Sequence, residues 1–206
     1  MQKDVIKNWL FTVNERIQEK KDFLSELDRA IGDGDHGVNM SRGFAEAVKK
    51  IRENEPADVA GLMQTVAMTL IAKVGGASGP LYGTAFLKAA TYLKGKADVT
   101  VRELAEAFKE SLIGIKQRGK AEPGQKTMVD VWEPVVEKWL SYDGAVDFDE
   151  LRALAEASLE KTKDLEATKG RAAYLGKRSI GHLDPGAYSS YLLFDSLFNE
   201  LKGVNA

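Results

Sequence analysis

The chain has 206 residues, 44% of them hydrophobic, which is enough to bury one sizeable core, so we expect a single domain over residues 1–206. The 29 Lys and Arg against 31 Asp and Glu give a formal net charge of -2, and this near balance indicates neither a nucleic-acid nor a membrane partner. The sequence has no cysteine, which excludes a disulfide framework and a thiolate zinc site. The N-terminal stretch lacks the apolar block of a signal peptide, and no apolar run is long enough to span a bilayer, so we expect a cytoplasmic protein.

Apolar residues recur at helical spacing along most of the chain, and turns rich in glycine or proline separate these stretches. The first pattern predicts one long amphipathic helix from Val5 to Ile31. Further patterns predict helices over residues 40–51, 59–74, 80–93, 101–115, 128–140, 151–165 and 185–201. Ser78 is a predicted N-cap, and Thr100 with Glu103 predicts a capping box. Because no alternating run competes, the predicted fold is all-α, an antiparallel up-and-down barrel or bundle of about eight amphipathic helices.

The turn after the first predicted helix is strongly acidic. Asp28, Asp33 and Asp35 are crowded here among three glycines, and carboxylates at this density are usually found around a cation. Oxygen ligands favour magnesium or calcium, but the spacing does not match an EF-hand loop. His36 and Asn39 follow near the first turn of the next helix, where unpaired backbone N–H groups attract anions. The turn therefore suggests a nucleotide phosphate with Mg²⁺, and the structural alternative is a solvated acidic helix cap.

The other glycine-rich or charged connections fall at alternate helix junctions, in residues 75–80, 118–127 and 171–184. Alternate junctions of an up-and-down bundle lie at the same end. We therefore expect these three stretches to join the acidic turn in one site at one end of the bundle. The turn at 75–80 is not a P-loop, and it could bind phosphate through free N–H groups and a hydroxyl or simply let two helices approach.

Four cations in these stretches could neutralise charge during phosphoryl transfer, although each could also be a solvated surface residue: Lys120, Lys126, Arg171 and Arg178. Arg171 and Arg178 are the predicted catalytic residues, because they belong to a segment with weak helical periodicity. No serine or threonine has an evident histidine partner, so the reacting oxygen would belong to a nucleotide or to a substrate held elsewhere.

Taken together, these stretches resemble the nucleotide-binding subunit of bacterial dihydroxyacetone kinases of the phosphotransferase-system-dependent type. The matching stretches occur in the order typical of this family over nearly the whole chain, and the chain length fits a stand-alone subunit. The matching stretches are residues 27–40, 75–83, 118–128, 169–176, 178–182 and 184–187.

The resemblance implies a helical barrel that holds ADP or ATP tightly as a coenzyme at one end, through two Mg²⁺ ions. It implies that Asp28, Asp33 and Asp35 are the metal ligands. It also implies that the residues binding the nucleotide are His36, Gly37, Val38, Asn39, Ala77, Ser78, Gly79, Gly119, Met128, Arg171, Asp184, Pro185 and Gly186.

The same resemblance implies two protein partners. A phosphohistidine carrier protein of the phosphotransferase system would phosphorylate the bound ADP. The resulting ATP would phosphorylate dihydroxyacetone held covalently on a histidine of the dihydroxyacetone-binding kinase subunit, giving dihydroxyacetone phosphate. Two alternatives remain at this point: a subunit that exchanges free ATP, and a non-catalytic sensor of nucleotide state that docks on another protein.

Overall fold

The computed structural model describes residues 3–203, which contain nine α-helices, two 3₁₀ segments and no β-strand. Residues 1–2 and 204–206 of the predicted domain lie outside the described residues. The all-α prediction is confirmed. The helices are α1 (Lys3–Glu19), α2 (Lys21–Ile31), α3 (His36–Glu53), α4 (Val59–Lys73), α5 (Ser78–Leu93), α6 (Val101–Gly119), α7 (Val129–Leu140), α8 (Phe148–Lys161) and α9 (Pro185–Lys202), and the 3₁₀ segments are Thr162–Asp164 and Arg171–Ser179.

The single helix predicted from Val5 to Ile31 is wrong, because the chain bends at Lys20 and forms α1 and α2. Hydrogen bonds continue across the bend, since the Lys20 N–H donates to the Arg16 carbonyl and the Leu24 N–H donates to the Lys20 carbonyl. The apolar spacing also continues, because both helices face the same core, and the bend therefore leaves no sign in the periodicity. It lets α2 pack against α3 and α9 and end at the acidic turn.

The helices close into a ring. From α3 to α9 each helix packs against the next, and α1 packs against both α3 and α9. Contacts at the two ends of α1 show that α3 runs antiparallel to it: Lys7 pairs with Glu55, just beyond α3, and Gln18 donates to the Ser41 carbonyl at 2.8 Å. The predicted up-and-down arrangement is thus observed.

Aromatic side chains fill the interior of the ring. The Phe108 and Trp132 rings stack with centroids 5.5 Å apart, and Trp132 meets Phe194 edge-on at 4.8 Å. Trp9 is fully buried, and its indole N–H donates to the Leu193 carbonyl at 3.0 Å. Because the core is packed, an open cavity is left at an end of the barrel.

The two ends of the barrel begin their helices differently. Asp58, Thr100 and Asp147 cap α4, α6 and α8 by accepting backbone N–H groups, and Thr100 forms the predicted capping box with Glu103. Among the described residues, α3, α5 and α7 begin at the opposite end with N-cap residues whose side chains accept no N–H group, whereas α9 at that end is capped by Asp184. The prediction that Ser78 is an N-cap is wrong, because α5 begins at Ser78 itself and its side chain turns to another partner.

None of the helices in residues 3–203 combines the length and the apolarity that crossing a bilayer requires.

Candidate functional site

One open cavity lies at the end of the barrel where α3, α5, α7 and α9 begin. All four stretches that were expected to meet contribute to its wall, although they are widely separated in sequence. The predicted site residues that line it are Asp28, Asp33, Asp35, His36, Ala77, Ser78, Met128, Arg171, Asp184, Pro185 and Gly186. Among the described residues, the predicted ones outside this lining are Gly37, Val38, Asn39, Gly79, Gly119 and Arg178.

The three aspartates of the acidic turn converge on one side of this cavity. One carboxylate oxygen from each of Asp28, Asp33 and Asp35 lies within 4.8 Å of the others. Asp28 is buried at the end of α2, and its Oδ2 accepts the N–H groups of Asp35 at 2.8 Å and His36 at 3.0 Å. Burial raises the Asp28 pKa, the charges of Asp33 and Asp35 act in the same direction, and the two N–H groups oppose the rise.

This cluster suits a hard cation by its chemistry, because it offers only carboxylate oxygens and keeps two of its side chains open to solvent. Gly32 is needed for the approach of Asp28, since a Cβ on this glycine would lie 2.1 Å from the Asp28 Oδ1. A cation from the protein also reaches the cluster, because Arg171 Nη2 lies 3.0 Å from Asp33 Oδ2.

His36 forms the floor of the cavity at the start of α3. Its Nδ1 lies 3.0 Å from the Ser78 Oγ, and its Nε2 lies 2.9 Å from the Ser189 Oγ. Burial lowers the pKa of His36 to about 4, so the imidazole is neutral near pH 7. The residue can therefore orient a hydroxyl at the cavity surface, but it brings no positive charge to a phosphate.

Several predicted contacts support the wall from behind instead of lining it. A Cβ on Gly37 would lie 1.9 Å from the Lys21 carbonyl oxygen, and one on Gly79 would lie 2.2 Å from that of Val74, so both glycines allow close backbone packing. Of the remaining residues, Asn39 is buried and accepts a hydrogen bond from Arg42, Gly119 lies beside Leu81, and Val38 and Arg178 are exposed. Their nucleotide contacts stay predictions.

Lys126 lines the cavity as a buried residue and not as a solvated surface cation. Its side chain is buried, and its Nζ donates to the carbonyl oxygens of Thr162 and His182. The ammonium thereby joins the turn before α7 to the end of α8 and the loop before α9. Burial lowers its pKa, and the Asp184 carboxylate opposes this. Lys120, the other lysine of this turn with a positive φ, is exposed and lies outside the cavity lining of the described chain.

Asp184 caps α9 inside the cavity. Its Oδ2 accepts the Ala187 N–H at 2.7 Å. Burial raises its pKa to about 7, the Ala187 N–H opposes the rise, and the charge of Asp130 adds to it. This carboxyl group is therefore partly protonated near pH 7.

Sequence reasoning missed the polar side chains behind His36. Tyr82, Ser189 and Ser190 are buried and hydrogen-bonded to one another through the Tyr82 hydroxyl. The available signal was a pair of adjacent serines in an otherwise apolar helix after Pro185, because polar residues at buried positions need partners.

Residues 30–199 match the DAK2 domain family. The chain belongs to this family. Within the DAK2 family, it is 53% identical to the PEP-dependent dihydroxyacetone kinase 1, ADP-binding subunit DhaL, of Listeria innocua, over 95% of each chain. It is 47% identical to the PTS-dependent dihydroxyacetone kinase, ADP-binding subunit DhaL, of Lactococcus lactis, over 94% of this chain and 95% of that one.

A solved structure has the same DAK2 fold. The dihydroxyacetone kinase of C. freundii in complex with AMP-PNP and Mg²⁺ superimposes with a TM-score of 0.79 at 22% identity. The match covers 97% of this chain and 34% of that chain, so this chain corresponds to about a third of that kinase.

Proposed function

We propose that this DAK2 chain is the ADP-binding subunit of a phosphoenolpyruvate-dependent dihydroxyacetone kinase, with a single nucleotide-binding domain. A phosphoryl group would leave the nitrogen of a phosphohistidine on a carrier protein and form a P–O bond with bound ADP. It would then pass to a hydroxyl of dihydroxyacetone held on a partner subunit, and that hydroxyl would lose its proton. The names of the Listeria and Lactococcus relatives support the reaction and the need for a partner.

The convergence of the three aspartates beside helix N-termini is the observation that carries this proposal. Their oxygens, within 4.8 Å of one another, would repel strongly without a divalent cation. The first residues or N-caps of α3, α5 and α7 line the same cavity. Asp28 already accepts the His36 N–H of α3 and Thr127 accepts the Val129 N–H of α7, whereas no N-cap side chain accepts an N–H at the start of α5 among the described residues. Free N–H groups there attract anions. A cation site next to an anion site suits a magnesium diphosphate.

Different residues of this chain would bind the metal ions, the phosphates and the base. Asp28, Asp33 and Asp35 would hold two Mg²⁺, which when bound neutralise and orient phosphate oxygens. The start of α3 from His36 to Asn39, together with Ala77 to Gly79, would hold the phosphates through N–H groups and the Ser78 hydroxyl.

The opposite wall would hold the rest of the nucleotide. Met128 and Asp184 to Gly186 line the cavity there, and Gly119 lies behind Leu81, so these residues would contact the base and ribose. Arg171 would stabilise charge on the transferring phosphoryl group, and the exposed Arg178, beyond the kink at Gly176, would assist it. Positioning and charge are the main demands of phosphoryl transfer.

Native mass spectrometry of the purified protein tests this function. We expect a mass increment of ADP plus two magnesium ions, lost on chelation with EDTA. In calorimetry, Asp33→Asn should raise the Kd for Mg-ADP at least about tenfold, whereas Asp98→Asn, at an exposed position far from the cavity lining, should leave it unchanged. Absence of Mg²⁺-dependent ADP binding would refute the proposal.

Turnover assays then separate the alternatives. With the dihydroxyacetone-binding subunit and the phosphocarrier present, dihydroxyacetone phosphate should form with catalytic ADP. If free ATP replaces the carrier, the exchanging kinase is the better description. If ADP binds but no phosphate is transferred, the chain is a nucleotide sensor.

A further inference from the structure

A continuous line of hydrogen-bonding side chains runs from the cavity surface into the core. Successive members are joined by distances of 2.7–3.0 Å and belong to α5, α3, α9 and α7. In order from the cavity they are Ser78, His36, Ser189, Tyr82, Ser190 and Trp132. All of them except Ser78 are buried. We call this set the polar chain.

The polar chain has two complete arrangements of its protons. Each hydroxyl has one proton to donate, a neutral imidazole has one N–H, and the Trp132 indole can only donate. In the cavity-directed arrangement, every bond is donated toward the cavity, from Trp132 at the inner end to Ser78 at the outer end. The His36 Nδ1–H then donates to the Ser78 Oγ, and the Ser78 O–H is left to donate into the cavity.

In the core-directed arrangement the bonds between Ser78 and Ser190 reverse. Ser78 donates to His36 Nδ1, and the His36 Nε2–H donates to Ser189. At the inner end, the Ser190 O–H donates to the Gly186 carbonyl at 2.8 Å. The Gly186 carbonyl also lies 3.1 Å from the Ser189 Oγ and 3.2 Å from the Tyr82 hydroxyl. This carbonyl therefore provides the acceptor that the polar chain needs in the core-directed arrangement. In this arrangement the Ser78 O–H donates to His36 and cannot donate into the cavity.

We propose that an anionic phosphate oxygen at Ser78 selects the cavity-directed arrangement, so that Tyr82, Ser189 and Ser190 act as positioning residues for phosphate binding. This inference rests on the proposed nucleotide site. An anion accepts but cannot donate, so it requires the Ser78 proton and thereby the Nδ1–H tautomer of His36. Hydrogen bonds aligned in series polarise one another, which strengthens the terminal donor.

Trp132 is the donor at the inner end of the polar chain in both arrangements. Its N–H donates to the Ser190 Oγ at 3.0 Å and has no alternative role as an acceptor. The polar chain also crosses the ring of helices, and it therefore connects phosphate binding at the surface with the packing of α7 and α9 in the core.

Nitrogen NMR of histidine-labelled protein tests the proposal directly, because His36 and His182 are the two histidines of the sequence. His182→Gln assigns the spectrum. With Mg-ADP bound, we expect a protonated Nδ1 and an unprotonated Nε2 on His36. Bound Mg-ADP together with an Nε2–H tautomer would overturn the inference while leaving the proposed function intact. Failure to bind Mg-ADP would remove both.

Tyr82→Phe tests the interior of the chain. It removes the one hydroxyl that joins Ser189 to Ser190 and keeps the ring. We expect the Kd for Mg-ADP to rise about three- to tenfold. Tyr188→Phe is the matched control, because Tyr188 is half-buried on α9 and packs on Phe23. Equal Kd values for the two variants, measured by calorimetry on folded protein, would contradict the proposal.

Discussion

The guanidinium of Arg171 lies against the carboxylate of Asp33, with Nη2 and Oδ2 3.0 Å apart. This contact joins the 3₁₀ segment after α8 to the acidic turn after α2. It places a cation of the protein next to the position proposed for the metal ions. Arg171 is also largely exposed, with 67% of its side-chain surface accessible, so it can exchange a carboxylate partner for a phosphate at little cost.

The two arginines of this segment should therefore differ in their effects. Arg171→Gln should lower turnover about 100-fold and raise the Kd for Mg-ADP, because Arg171 lines the cavity and phosphoryl transfer depends on charge neutralisation. Arg178→Gln should lower turnover but leave the Kd within about twofold, because Arg178 is exposed outside the cavity. Calorimetry and coupled assays measure the two quantities, and a large rise in Kd for Arg178→Gln would contradict this division.

Lys126 should be the more important of the two lysines with positive φ. Lys126→Met removes a donor from two backbone carbonyl groups, of which Thr162 keeps the Leu165 N–H at 3.3 Å, so we expect the free energy of unfolding to fall by about 2–4 kcal/mol. Lys120→Met changes an exposed side chain with φ 48° and should have an effect below about 0.5 kcal/mol. Urea unfolding provides the comparison. Similar losses in both variants would show that backbone conformation, and not the buried ammonium, matters here.

Asp184 should make the protein less stable as the pH rises from about 4 to about 7. Its folded pKa of about 7 lies above the ordinary value of 3.8, so in this range the folded protein holds a proton that the unfolded chain has released. The stabilising contribution is complete below pH 4 and is lost as the pH rises to about 7.

Asp184→Asn removes this titration but keeps an oxygen that can accept the Ala187 N–H. The difference in unfolding free energy between wild type and variant should therefore change by about 1–3 kcal/mol between pH 4 and pH 7. The wild type should become less stable relative to the variant as the pH rises. Thermal and urea unfolding at several pH values measure it. A pH-independent difference would show that Asp184 is ionised throughout.

Gly37 should not tolerate a side chain. Gly37→Ala places a methyl group 1.9 Å from the Lys21 carbonyl oxygen and 2.6 Å from the Ser25 Oγ, so α2 and α3 would have to separate. We expect a loss of about 3 kcal/mol or more in unfolding free energy, together with weaker Mg-ADP binding. Gly144→Ala is the control, since a Cβ there meets no described atom within 4 Å. Comparable stabilities would indicate that the junction of α2 and α3 relaxes easily.

Much of the fold could be predicted from the sequence because its evidence is local. Helical periodicity identified the helical stretches from α3 to α9 but joined α1 and α2, and the capping box of Thr100 and Glu103 followed from residues three apart. The shared end of four junctions followed from the alternation of an up-and-down bundle. The bend at Lys20 could not be predicted, because the apolar faces of α1 and α2 meet the same core and continue one pattern.

The sequence by itself determined which chemical groups meet, since an acidic turn and three further junctions at alternate helix ends must lie together in this topology. Only the tertiary structure determined which hydrogen-bond partner each of these side chains has. His36 contacts residues 42 and 153 positions away, and the ammonium of Lys126, a residue of the cavity wall, donates to two backbone carbonyls. These hydrogen-bond partners depend on the rotation and tilt of packed helices. Side-chain complementarity across the core determines that rotation and tilt, and the local spacing of residues does not encode them.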